Sequence, residues 1–287
     1  MKIVAVANLK GGVGKSTTTL FLAEHWALKG KRVLVIDLDP QANASFMLLS
    51  RRGVERCEVE EKTLPHLFLH SQNDTRRPAL AYIEARASDL MELRPPSKGF
   101  VSLMPSVPRL WIDEYDFDRS RYQQNDDPVQ ARLTIFRELL TELDGKYDCV
   151  LLDCPPGFNT LTRSALILAH KIISPTIADH VSARSLGDFV GIGLESLLGP
   201  TGHSRHSVVV SKYASTKDQA DELDRLRMRY KVLGPPIPLR DQVVKATLCG
   251  DNQQRTYAEK YDRPIYSKIG PHVRNMCDAV YKIVFES

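Results

Sequence analysis

A chain of 287 residues, 43% hydrophobic and 26% charged, has the balance of an ordinary globular protein and ample length to bury an α/β core. Its 39 Lys and Arg against 35 Asp and Glu leave a net charge of +4, a surplus that permits nucleic-acid contact without requiring it. Five cysteines (Cys57, Cys149, Cys154, Cys249 and Cys277) form no CxxC pair, and His203 and His206 have no Cys or His nearby, so neither a disulfide framework nor a zinc site is expected.

In chain order, "KIVAVAN" reads as a buried strand whose apolar run, Ile3 to Ala7, is too short for the core of a signal peptide. "KSTTTLFLAEHWALKG" behind it is helical and closes on Gly30. "KRVLVIDLD" and "YDCVLLDCPP" are the next strands, each ending in acidic residues, and "HKIISPT" and "HSVVVSKY" continue the series. Helices are expected at about 128–143, 159–169, 183–197, 218–231 and 270–285. Strands alternating with helices imply a mostly parallel twisted sheet with helices on both faces, in one domain over 1–287. The region at about 51–127 is rich in charge, Pro and Asn/Asp, and reads as a polar excursion from that sheet with short elements and mobile loops. No stretch approaches the roughly 20 apolar residues of a membrane span, and a cytoplasmic protein is expected.

Between the first strand and first helix stands "NLKGGVGKST", residues 8–17. A strand, a glycine-rich turn and a helix make a phosphate site, because the helix start offers unpaired N–H groups and a partial positive charge. Gly11, Gly12 and Gly14 let the backbone approach phosphates closely, Lys15 is placed for the β- and γ-phosphates, Ser16 for Mg²⁺ and Thr17 for the α-phosphate. The usual pattern wants a glycine where Leu9 stands, and a second lysine, Lys10, follows it. Asp37 and Asp39, two residues apart, are expected on one side of their strand, and Asp153 ends another. Carboxylates at neighbouring strand ends face the ligand crevice of an open α/β sheet and suit a hard, hydrated cation.

Lys10-Gly11-Gly12-Val13-Gly14-Lys15-Ser16 resembles the deviant Walker A motif of the ParA/MinD family of P-loop ATPases, closest to its ParA-type, Soj-like members. "DLDPQAN" (37–43) and "DCPPG" (153–157) resemble the family's two switch motifs, and "PIPLRDQVVKA" the stretch that closes over adenine. The likeness is poorest at about 68–100. It implies ATP and Mg²⁺ as cofactors, and a homodimer in which Lys10 reaches the ATP of the other subunit. Asp37 and Asp153 would hold the metal through waters, Asp39 would orient the attacking water, and Pro238 with the end of "VVVSKY" would contact adenine. Hydrolysis would be slow until a ParB-like or other adaptor stimulates it.

Three cargoes follow from the resemblance. A ParA-like partition ATPase binds DNA non-specifically and associates with the nucleoid; Arg225, Arg227, Arg229, Lys231, Lys245, Arg255, Lys260 and Arg263 are its candidate contacts. Acids at a helix start and bases at its end, as in "DQADELDRLRMRYK", equally suit the helix dipole. Because the phosphate loop begins almost at the first residue, sequence-specific operator binding is not expected. A MinD-like membrane switch would end in a basic amphipathic helix, whereas Val273, Met276, Cys277, Val280, Ile283 and Val284 fall at core-packing spacing with only Arg274 and Lys282 basic. The third is a positioning ATPase for a protein cargo, docking through 51–127. An iron–sulfur role is excluded by the register of Cys154, which directly follows Asp153.

Overall fold

The structure, a computed structural model, describes residues 1–73, 75–93, 98–250, 254–262 and 269–286. Its centre is a six-stranded sheet in the order β3-β2-β4-β1-β5-β6. The strands are β1 (Lys2–Val6), β2 (Arg32–Asp37), β3 (Phe100–Met104), β4 (Cys149–Asp153), β5 (Lys171–Ile177) and β6 (His206–Ser211), and every pairing is parallel. Parallel neighbours need crossovers, and the apolar helical segments between the strands supply them on both faces. The pleat sorts the side chains. Ile3, Ala5, Leu34 and Ile36 enter one buried cluster; Val4, Val6, Val33 and Val35 enter the other.

On the second face lies α1 (Lys15–Leu28), buried continuously from Thr18 to Ala27. A helix buried on all sides needs an outer cover, and α12 (Gly270–Phe285) provides it. Trp26 donates to the Cys277 carbonyl (3.3 Å) and meets Tyr281 and Phe285 edge-on. Val273, Met276, Cys277, Val280 and Val284 of α12 are buried, so its apolar stripe is spent on the core. No helix among the described residues is long and apolar enough to cross a membrane.

The remaining helices are α2 (Asn43–Val59), α3 (Leu64–Gln72), α4 (Leu110–Gln123), α5 (Pro128–Glu142), α6 (Thr160–Leu168), α7 (His180–Asp188), α8 (Glu195–Leu198), α9 (Thr201–Arg205), α10 (Lys217–Arg229) and α11 (Asp241–Thr247). A π-helical turn, Phe189–Leu194, joins α7 to α8.

The sequence reading of 51–127 as an excursion is corrected here. Phe100–Met104 is an edge strand of the central sheet, in register with Arg32–Ile36, and α2, α3 and α4 occupy much of the rest. Gly99 opens that strand because a Cβ there would lie 1.9 Å from the Ala27 carbonyl oxygen at the end of α1. α2 bends at Ser50, whose φ of 65° is not helical. Residues 79–93 run along the outer edge of β3, where Glu84 bridges antiparallel to Leu103 and Ala87 N–H donates to Val101 O (2.7 Å), and Leu90 then bridges to Arg255.

Candidate nucleotide site

The loop after β1 enters α1 through Gly14, at φ 88°, a conformation favouring glycine, with no side chain capping the helix start. Its first N–H groups are therefore presented to an anion at the positive end of the helix. Ser211 Oγ donates to the Val13 carbonyl (2.8 Å), and Asn8 Oδ1 accepts from Lys10 N–H (3.1 Å) while its Nδ2 donates to Pro175 O (2.8 Å). The loop is thus tied to β5 and β6. The glycines Gly11 and Gly12 have open space where a Cβ would be.

The two lysines part ways. Lys15, buried, donates to the Lys10 carbonyl (3.0 Å), folding its ammonium onto the loop backbone. Burial lowers its pKa, against the charges of Asp153 and Asp39. Lys10 Nζ instead donates to Ser182 Oγ (2.7 Å) and lies 3.8 Å from Asp179 Oδ1, at the start of α7. Ser182 Oγ in turn donates to Asp179 Oδ2 (2.8 Å), so both roles of that hydroxyl are used.

The three aspartates come to the same end of the sheet, but not equivalently. Asp37 and Asp153 are register partners at the ends of β2 and β4, both fully buried. Asp37 accepts from Ser45 N–H (2.9 Å) and Oγ (2.7 Å) and from Asp39 N–H (3.0 Å). Asp153 Oδ1 accepts from Thr19 Oγ1 (2.9 Å), and the nearby Ser16 hydroxyl favours the ionised form of the same carboxyl. Asp153 Oδ2 is buried without a partner among the described residues. Burial raises both pKa values; Asp153 is pushed up to about 6, and the Asp153 charge adds to the rise at Asp37.

Asp39 lies beyond the end of β2, so the expectation from strand alternation that it shares a side with Asp37 does not apply. Its Oδ1 accepts from Gln41 N–H (2.9 Å), and it lines a cleft of about 530 Å³ between Pro155, Pro156 and α4. Trp111 and Tyr115 of α4 line that cleft and, with Ile112 and Tyr122, are exposed.

A hard cation fits this end of the sheet. Ser16 and the orphaned Asp153 oxygen are oxygen donors, and Asp37 lies beside them. Among the described residues no three His, Cys, Asp or Glu side chains converge as a resident metal's ligand set. The shell would therefore be completed by waters and phosphate, as Mg²⁺ prefers.

Pro238 bridges Tyr213, with Ile237 N–H donating to Val210 O (2.8 Å) and Leu239 N–H to Tyr213 O (2.9 Å). It therefore sits with the end of "VVVSKY" beside the loop, on the side opposite the aspartates. Among the candidate DNA contacts, Lys260 is fully buried and Arg255 is paired to Asp89 (2.5 Å), which removes both as surface cations. Arg225 pairs with Glu222 (3.1 Å) and Arg227 with Asp224 (3.3 Å), while Arg229, Lys231 and Lys245 make no ion pair among the described residues. Arg263 lies outside the described residues. His206 is buried against Ser174 Oγ (2.9 Å), its pKa lowered to about 4 by burial. Sequence reasoning missed Asn8, Thr19, Ser45, Asp179, Ser182 and Ser211. Thr19, one helical turn after Lys15 and facing the sheet, carried a readable signal; Ser182, 172 residues from Lys10, and Asp179 beside it carried none.

A family profile, the AAA domain, matches residues 1–192. The putative replication protein A of Sinorhizobium fredii is 28% identical over 255 residues, 88% of this chain and 58% of that protein. The chromosome-partitioning ATPase Soj of Thermus thermophilus is 35% identical over 183 residues, 64% of this chain and 57% of that protein. The chain thus spans less than two-thirds of either relative's length. A crystal structure of a putative plasmid partition protein from Borrelia burgdorferi, bound to AMPPNP, matches with a TM-score of 0.71 at 19% identity, covering 99% of both chains. That likeness speaks for the fold, while the profile spans more than half of this sequence: the chain belongs to the AAA-domain family and is similar in sequence to Soj-type partitioning ATPases.

Proposed function

We propose that the chain is a ParA-like ATPase that closes into a dimer around ATP and Mg²⁺, binds DNA non-specifically in that state, and is released by slow hydrolysis to ADP and phosphate. The observation that carries the reading is the divergence of the two lysines. Lys15 already lies on the phosphate loop, whereas Lys10 is held outside it, partly exposed, on Ser182 and Asp179. A cation at the mouth of a phosphate site but not turned into it is placed to serve an ATP approaching on another subunit.

On this reading the N–H groups of Gly12 to Thr17 and the Lys15 ammonium bind the phosphates. Ser16 and, through waters, Asp37 and Asp153 would hold Mg²⁺, which would supply positive charge against the phosphates. Asp39, at the rim of the cleft, accepts a hydrogen bond from the attacking water and fixes its line of approach. Lys15 and the partner's Lys10 stabilise charge on the transferring group. Pro238 and Tyr213 flank the base. Removing the γ-phosphate removes what Lys10 bridges, so nucleotide state is read out as assembly state. A ParB-like or other adaptor would accelerate that step. The exposed α4 residues beside Asp39 favour a protein docking there, whether the cargo is DNA or a protein complex. A membrane role has less support, since the apolar stripe of α12 is buried.

The test is retention on non-specific DNA. With ATP and Mg²⁺ the protein is retained at low salt and released at high salt, and with ADP it is not retained. No retention with ATP at low salt would leave a protein cargo as the surviving reading, and pelleting with liposomes would favour the membrane one.

A further inference from the structure

Behind α1 lies a cluster of charges that the proposed chemistry does not use. Glu24, on α1, accepts from Lys260 Nζ (2.6 Å), Ser88 Oγ (2.7 Å) and the Tyr261 hydroxyl. Lys260 also donates to Asp89 Oδ1 (2.7 Å), whose other oxygen accepts from Arg255 Nε (2.7 Å). The side chains of Glu24 and Lys260 are 0% exposed and that of Asp89 is 2% exposed. Arg255 then reaches the last carbonyls of α11, donating to Lys245 O (3.0 Å) and Leu248 O (2.6 Å).

Backbone pairing runs the same way, with Arg255 N–H on Asp89 O (2.9 Å) and Met91 N–H on Arg255 O (2.9 Å). The cluster therefore joins three stretches distant in sequence: the phosphate-loop helix, residues 84–93 and residues 254–261. Buried ion pairs contribute little net stability against apolar packing, because desolvation offsets their attraction. What such a cluster does supply is register between the elements it joins.

The element whose place it fixes is α11. That helix follows directly on Pro238 and Leu239, which pair with the end of β6, and Ser211 of β6 holds the phosphate loop. The metal-side carboxylates stand at the ends of β2 and β4, on one side of β1. A nucleotide whose terminal phosphate faces them has its nucleoside on the β5–β6 side, against residues 237–247.

We infer that residues 84–93, through the buried Glu24–Lys260–Asp89–Arg255 cluster, hold residues 237–247 against the phosphate loop and so set the affinity for the nucleoside half of ATP. Arg255, Lys260 and Asp89 are positioning residues; none touches nucleotide. The inference rests on the ATP-binding reading above. It assigns a role to the part of the chain least like the resembled family.

The experiment compares equilibrium binding of ATP and of inorganic tripolyphosphate, both with Mg²⁺, to the full chain and to two variants. Arg255→Met cuts the link to α11 and leaves the Lys260–Glu24 pair. Lys260→Met combined with Glu24→Gln removes one charge of each sign together, so that no buried ion is left alone. In both, the ATP Kd rises about tenfold, equivalent to ~1.4 kcal/mol, while the tripolyphosphate Kd stays within about twofold of wild type. The amides of Ile237 and Leu239 exchange faster with solvent. Variants that fold with unchanged ATP affinity, or that lose ATP and tripolyphosphate in parallel, overturn the inference. A wild-type chain that binds tripolyphosphate as tightly as ATP overturns the reading on which it rests, and the inference with it.

Discussion

Asp153→Asn should stabilise the nucleotide-free protein at neutral pH while disabling it. Asp153 is fully buried; burial, and secondarily the charge of Asp39, push its pKa up to about 6, against hydrogen bonds from Ser16 and Thr19 and the charge of Lys15. The unfolded chain holds the ordinary value of 3.8. A carboxyl whose folded pKa is raised binds its proton more tightly when folded, so stability falls as pH rises from about 4 to 6 and stays reduced above that. A difference of roughly two pH units corresponds to about 3 kcal/mol. Asparagine has no proton to lose, and its carbonyl can still accept from Thr19. The variant and the wild type should therefore match near pH 4, and the variant should gain up to about 3 kcal/mol by pH 7.5. Urea unfolding followed by circular dichroism, without nucleotide or Mg²⁺, measures the difference. A difference that does not change with pH, or a variant less stable at pH 7.5, would refute the electrostatic account of this strand end. With saturating ATP and Mg²⁺ the order should reverse, since only wild type gains the binding energy of the complex.

Other outcomes follow from the same geometry. Asp39→Ala should bind ATP and accumulate as a dimer with hydrolysis lost, seen as a stable dimer peak in size-exclusion chromatography; a monomer under saturating ATP contradicts its role in placing water. Ser182→Ala removes the hydroxyl that accepts from Lys10 in its own subunit, a hydrogen bond to a charged group worth about 1.5 kcal/mol at the low end of the range. The ATP concentration needed for half-maximal dimer should therefore fall several-fold, and an unchanged midpoint argues against that contact holding Lys10 back. Replacing Arg229 and Lys231 together by Ala should reduce the log–log salt slope of DNA retention by about 2, whereas an unchanged slope places the DNA surface elsewhere.

The strands with uninterrupted apolar runs were legible because a parallel sheet buries both faces, and two of them, Arg32–Asp37 and Cys149–Asp153, also end in acids. Phe100–Met104 was not, since four apolar residues around Ser102, set between charged stretches, carry no mark of what they pair with. α2 hid for a related reason: it buries only Ala44, Ser45, Leu48, Ser50, Val54 and Cys57 along Asn43–Val59, so charge dominates the string. The phosphate loop was readable as a local motif, and its three aspartates as strand ends. The distinction between Asp37 and Asp39 was not, because β2 stops at Asp37 and the next residues turn. Nor could charge alone sort the candidate DNA contacts. Lys260 and Arg229 look alike in sequence, yet one neutralises Glu24 and Asp89 in the core and the other stands at the exposed end of α10.

The central claim is that Lys10 makes ATP part of a subunit interface, and sedimentation velocity of Lys10→Ala beside wild type tests it most directly. With ATP and Mg²⁺, wild type should sediment as a dimer and return to monomer with ADP. Lys10→Ala should remain monomeric at every ATP concentration, while still binding nucleotide through Lys15 and the loop. A Lys10→Ala protein that dimerises with ATP as wild type does would contradict the account.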